Sequence, residues 1–272
     1  MARQPGVPRP AKWLAIGVLP TALFLLFVGL PFIALFAKGA GRESFWAALG
    51  QETVLDALRL SFITSGITVV IAVAVGTPVA YFLARSRFRG RDLIDALIEL
   101  PIVLPPVVAG LGMLMTFGRE GFLGGALDAI GVSLPFTMTA VVFAQLFVGA
   151  PFYIRSAKLG FEAVDPALEE VAQTLGVSPM RTFARVSLPL ASRALMGGMV
   201  LCWARAISEF GATIMFAGNL PGRTQTLPLA ILTALESDLD QALALAVLLA
   251  VIALLVLIAV RIAFRRSWRY AE

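Results

Sequence analysis

Six apolar runs of about 20 residues recur along the whole length of this chain, at about 13–37, 58–84, 93–117, 136–154, 191–217 and 241–264. Nothing else constrains its fold so tightly. A helix rising about 1.5 Å per residue crosses a hydrocarbon core of about 30 Å in such a run. In lipid the backbone must satisfy its own polar groups, which a helix does within one segment. The expected fold is all-α: a polytopic membrane protein with six transmembrane helices, forming one domain over residues 1–272. Composition agrees. The chain is 59% hydrophobic and 14% charged, where soluble domains hold about 45–50% apolar and about 25% charged residues.

Lysine and arginine orient the spans, because they gather on the cytoplasmic side. One side collects Arg3, Arg9 and Lys12, then Arg85, Arg87, Arg89 and Arg91. It also holds Arg155, Lys158, Arg181, Arg185 and Arg193, and finally Arg261, Arg265, Arg266 and Arg269. The other side has Lys38, Arg42, Arg119 and Arg223, with acidic residues such as Glu43, Glu52, Asp56, Asp128 and Glu236. Both termini and the polar loop at about 157–190 are expected inside. The basic run at 85–91 reads as a topology anchor rather than a lipid-headgroup site. The first apolar run is much longer than the 7–15 residues of a signal peptide, so it is read as a span and not a cleaved leader.

Some chemistry is excluded at once. There is no histidine and one cysteine, Cys202. No metal site and no catalytic residue is assigned, since the commonest ligand and general base is missing and one thiol cannot ligate a metal alone. No GxxxxGK(S/T) phosphate loop occurs, so no cofactor is expected in this chain, and ATP hydrolysis would need another subunit. The net charge of +5 follows membrane orientation rather than nucleic-acid binding.

The polar loop carries the sharpest local signal. Asp165-Pro166 is a helix start, a capping carboxylate followed by proline at the first helical position. Leu168, Val171, Ala172 and Leu175 follow at i, i+3, i+4, i+7 and make one apolar face. Glu169, Glu170, Gln173 and Thr174 lie off it. Gly176 can take the left-handed conformation that ends a helix. Ser178-Pro179 offers a second start, with Arg181 and Arg185 beyond. A passive interfacial helix would carry a basic polar face. Here that face is acidic, which suits a protein cleft.

These residues resemble a known family. Glu170-Val171-Ala172, Gly176 six positions after Glu170, and Val186-Ser187-Leu188-Pro189 look like the EAA loop of permease subunits of binding-protein-dependent ABC importers. Val171 stands where alanine is usual. The stretches Glu99–Gly110, Ile207–Ala212 and Phe216–Thr226 are similar to the molybdate permease branch, and sulfate and tungstate permeases resemble it through Ile207–Ala212. The resemblance implies a type I ABC importer permease fold in the cytoplasmic membrane of a prokaryote. It implies ATPase coupling through Glu169, Glu170, Val171, Ala172, Thr174, Leu175, Gly176, Ser178, Pro179 and Arg181. It also implies a second permease copy as a homodimer, two cytoplasmic ATPases that bind ATP and Mg, and an external oxyanion-binding protein.

Residues inside the spans bear on a path. Pro101, Pro105 and Pro106 remove backbone donors from the third run; a bend there would line a path, or is a packing kink. Arg205 and Glu209, i and i+4 in the fifth, either form a structural pair or lend positive potential to an anion path. Ser208, Gly211 and Thr213 are expected to offer hydroxyls and open backbone near the outer end. A rival reading is an ion-coupled secondary transporter, which needs intramembrane acids; Glu99 and Glu209 are its candidates. An intramembrane enzyme has no supporting motif.

Overall fold

The computed structural model describes residues 11–39, 45–47 and 50–268; Arg3, Arg9, Arg42, Glu43 and Arg269 lie outside the described residues. The described chain is helical. In order it forms α1 (Ala11–Gly39), α2 (Glu52–Arg85), α3 (Arg91–Val103), α4 (Pro106–Phe117), α5 (Gly124–Ala129) and α6 (Met138–Glu162). Then come α7 (Pro166–Thr174), α8 (Pro179–Thr182), a π turn (Phe183–Ser187), α9 (Leu188–Ile207), α10 (Gly211–Phe216), α11 (Leu227–Ser237) and α12 (Leu239–Trp268).

Among the described residues, five helical segments are long and apolar enough to cross a membrane: α1, α2, α6, the α8–α9 stretch and α12. The third expected span is corrected in one respect. It is two helices, α3 and α4, bent by 113°. Proline is the reason. Pro105 forces the residue before it out of helical geometry, and Leu104 is extended at φ −66°, ψ 134°. Pro106 then starts α4 at its first position, where a missing donor costs nothing. Pro101 is carried within α3. The pair still travels the length of α6. Arg91 bonds to Glu162 near one end of that helix, and Phe117 packs edge-on against Phe143 near the other.

The fifth run is also not one helix. α9 stops at Ile207 and α10 begins at Gly211. Between them Glu209 turns back, and its Oε1 accepts from the Ala212 amide at 2.8 Å. The chain then makes a turn at 218–222 and sinks: Thr224, Gln225 and Thr226 are buried, and the Leu227 amide donates to Ser61 Oγ of α2 at 2.8 Å. α11 follows, an apolar helix of 11 residues and too short to span. No sequence expectation covered it.

α6 is the axis of the bundle. α2 packs along one side of it and α9 along another, while α4 carries α10 and α11 lies on α12. Tyr153, Ala157 and Phe161 of α6 are fully buried in the cluster shared with Ala72, Ala80, Ala191 and Cys202. Polar bonds stitch these faces: Tyr153 OH lies 2.6 Å from Thr77 Oγ1, and Ser156 Oγ donates to the Ala194 carbonyl at 2.8 Å. Interhelix bonds of this kind hold where lipid removes the hydrophobic drive for helix association. α1 leans on α12. Its other apolar side chains stand outward, Phe27 at 75% exposure, as a lipid-facing helix requires.

Candidate coupling loop and broken-helix site

The loop between α6 and α9 folds as its local signals dictate. Asp165 Oδ1 accepts from the Ala167 amide at 2.9 Å, and Pro166 occupies the first helical position of α7. At the other end Gly176 has φ +82°. Its amide bonds to the Gln173 carbonyl at 2.9 Å, and the Val177 amide to Ala172 at 3.1 Å. That is a Schellman stop, and an L-residue forced into this conformation costs about 1–2 kcal/mol. Ser178-Pro179 then opens α8, which passes through the π turn into α9.

The side chains of α7 do not divide as the sequence implied. Glu169 is buried at 7% exposure. Arg85, the last residue of α2, grips it with Nη2 at 2.6 Å and Nε at 3.0 and 3.1 Å. Ser187 Oγ donates to it at 2.7 Å and Tyr81 OH at 3.2 Å. The expected exposed acidic face is corrected at Glu169 alone, which faces its own chain, while Glu170, Gln173 and Thr174 are exposed. The surface it leaves is apolar: Leu168, Val171, Leu175 and Met180 are 48%, 57%, 78% and 75% exposed. Glu170, Thr174, Ser178, Pro179, Arg181 and Arg185 are exposed around them, while Ala172 is half-buried.

Burial by itself would push the Glu169 carboxyl up. The hydrogen bonds from Arg85 and Ser187, and the Arg85 charge, outweigh it and hold the group below its ordinary value. A carboxylate depressed in this way contributes stability above its unfolded value and loses it as pH falls through the folded one. The grip is intact at neutral pH.

Beside the loop, α3 turns its polar side to α6. Lys158 Nζ meets Asp95 at 2.6 Å, Arg91 meets Glu162 at 2.5 Å, and Arg155 lies 3.6 Å from Glu99. Glu99, one of the two acids available to an ion-coupled carrier, thus sits beside a cation. The second, Glu209, is 1% exposed and lies 2.6 Å from Arg205 Nη2. The pair forms within one chain, off hydrogen-bond alignment at Oε2.

The remaining path candidates separate. Pro105 is exposed and Pro101 and Pro106 half-buried. Ser208 is exposed but donates back to the Ala204 carbonyl at 2.9 Å. Gly211 and Thr213 are buried, so they offer no open backbone; α10 is folded beneath α4. The contact is backbone against backbone. A Cβ on Gly211 would lie 3.0 Å from Pro106 Cβ, and one on Gly110 would lie 2.7 Å from the Ala212 carbonyl oxygen.

Residues 76–269 match the family described as the binding-protein-dependent transport system inner membrane component. The chain belongs to that family. It is 41% identical over 226 residues to the molybdenum transport system permease protein ModB of Mycobacterium tuberculosis, covering 83% of this chain and 85% of that protein. It is 39% identical over 183 residues to ModB of Escherichia coli, covering 67% and 80%. A probable transport system permease protein, NifC of Clostridium pasteurianum, is 34% identical over 82% and 78% of the two chains. Among solved structures, a bacterial ABC transporter for the polysaccharide alginate superposes with a TM-score of 0.76 at 19% identity, covering 94% of this chain and 96% of that one. The fold is that of a type I ABC importer permease, and the family member is a multi-pass membrane protein. Permease subunits of this kind are not themselves catalytic.

Proposed function

We propose that this chain is the membrane subunit of an ATP-driven importer that passes molybdate across the cytoplasmic membrane of a prokaryote by alternating access. The family and the molybdenum-permease relatives support that reading. The observation that carries it is the apolar knob on α7 and α8, exposed to solvent yet held to the membrane core by Arg85. An apolar centre rimmed by Glu170, Arg181 and Arg185 has the make-up of a protein interface rather than a lipid-bound helix. Its occupant is a separate cytoplasmic ATPase that binds ATP and Mg. The basic end of the bundle, with both termini, then faces the cytoplasm.

Two copies of this chain would pair around the path, with two ATPases inside and an oxyanion-binding protein outside. Selectivity among molybdate, tungstate and sulfate would reside largely in that binding protein. Arg205, neutralised by Glu209, fits a path that holds its anion weakly enough to release it. Vesicles carrying the permease, its ATPase and its binding protein should accumulate molybdate when ATP is supplied, with or without an uncoupler. Uptake that persists without ATP and collapses with an uncoupler would establish the ion-coupled alternative.

A further inference from the structure

Resting on the proposed docking of an ATPase at α7, we infer that Glu169 is the positioning residue that delivers movement of the loop to two spans at once, through Arg85 and Ser187. Three features make the junction more than an ion pair. The carboxylate is saturated: Arg85 takes both oxygens, Ser187 adds a bond to Oε1 and Tyr81 one to Oε2. It has little left to offer a partner protein, unlike exposed Glu170 in the next position.

The junction is also braced from behind. Arg85 Nη2 donates to the Val164 carbonyl at 3.1 Å, just before the α7 cap, and its guanidinium lies 5.9 Å from the Tyr81 ring centroid. Tyr81 in turn packs edge-on against Phe161 and Phe183, at 5.3 and 4.7 Å between centroids. A planar bidentate guanidinium fixes direction as well as distance. α7 and the end of α2 must therefore move together.

Finally, Ser187 closes the π turn of Phe183–Ser187, immediately before α9. A π turn carries an extra residue in the helical ladder and recurs at functional sites. Glu169 thus reaches α9 at a place where its backbone register is irregular. One carboxylate ties the knob to α2 directly and to α9 through that turn. Apolar contacts alone would let α7 slide along both.

The test is made in the complete complex, reconstituted with ATPase and binding protein, by measuring uptake per ATP hydrolysed. Glu169→Gln keeps the shape and loses the charge; it should still assemble, while uptake per ATP falls about ten-fold. The exchange Arg85→Glu with Glu169→Arg should recover a measurable part of that loss. Ser187→Ala, which removes one bond, should lower the ratio by about two- to three-fold, and it decides the matter if Glu169→Gln does not assemble. A wild-type ratio in an assembled Glu169→Gln complex, or in Ser187→Ala, would overturn the inference. Failure of the wild-type complex to drive uptake with ATP would instead overturn the reading on which it rests.

Discussion

Gly110→Ala should lower the melting temperature of the detergent-solubilised protein, whereas Gly112→Ala, two residues along the same helix, should leave it unchanged or raise it. The contrast comes from what each new methyl meets. At Gly110 it would sit 2.7 Å from the Ala212 carbonyl oxygen, 2.8 Å from Ala212 Cα and 2.8 Å from Met215 Cβ. Two of those atoms are backbone, so no side-chain rotation relieves the clash, and α10 must lift from α4. Overpacking of this kind costs about 1–3 kcal/mol. At Gly112 nothing lies within 4 Å, and replacing a helix-interior glycine by alanine is worth about 0.5–1 kcal/mol in favour of the variant. Equal melting temperatures would mean that α4 and α10 are not in contact.

The second large effect belongs to Arg205 and Glu209. Arg205→Met strands a carboxylate that is 1% exposed beside an arginine that is itself 26% exposed, and removing the partner of a buried charge costs up to about 3–5 kcal/mol. Adding Glu209→Gln should recover much of that loss. The uncharged side chain no longer needs a counter-ion, and its carbonyl can still accept from the Ala212 amide, the bond that Oε1 now makes at 2.8 Å. Glu209→Ala should be worse than Glu209→Gln, because it also orphans that buried amide, at about 1–3 kcal/mol. Thermal melts of these variants give the ranking. A double variant no more stable than Arg205→Met alone would show that the Glu209 carboxylate does not depend on Arg205 as its counter-ion.

Much of this architecture is written locally. The Asp165-Pro166 start, the apolar spacing from Leu168 to Leu175 and the Gly176 stop each act within a few residues of themselves, so α7 is legible from the chain alone. The side that α7 buries is not. Glu169 turns inward because Arg85, 84 residues earlier, and Ser187 wait for it, and no spacing encodes that meeting. Pro105-Pro106 announced a break in the third run, but not a bend of 113°. The end of α9 carried no proline at all. It stops because Glu209 is drawn back to cap α10 and because Gly211 fits beneath Pro106, both of which are tertiary events. α11 is not legible for a simpler reason: a mostly apolar helix of 11 residues satisfies neither a span nor a soluble amphipathic pattern.

The exposed knob on α7 is central to the whole account, and Leu175→Cys tests it most directly. Leu175 is 78% exposed, and the natural thiol, Cys202, is fully buried, so the introduced cysteine is the accessible one. A membrane-impermeant maleimide should label it in inverted vesicles and not in right-side-out ones, and the bound ATPase should shield it. Labelling from the external side, or labelling as fast with the ATPase bound as without it, would contradict the account.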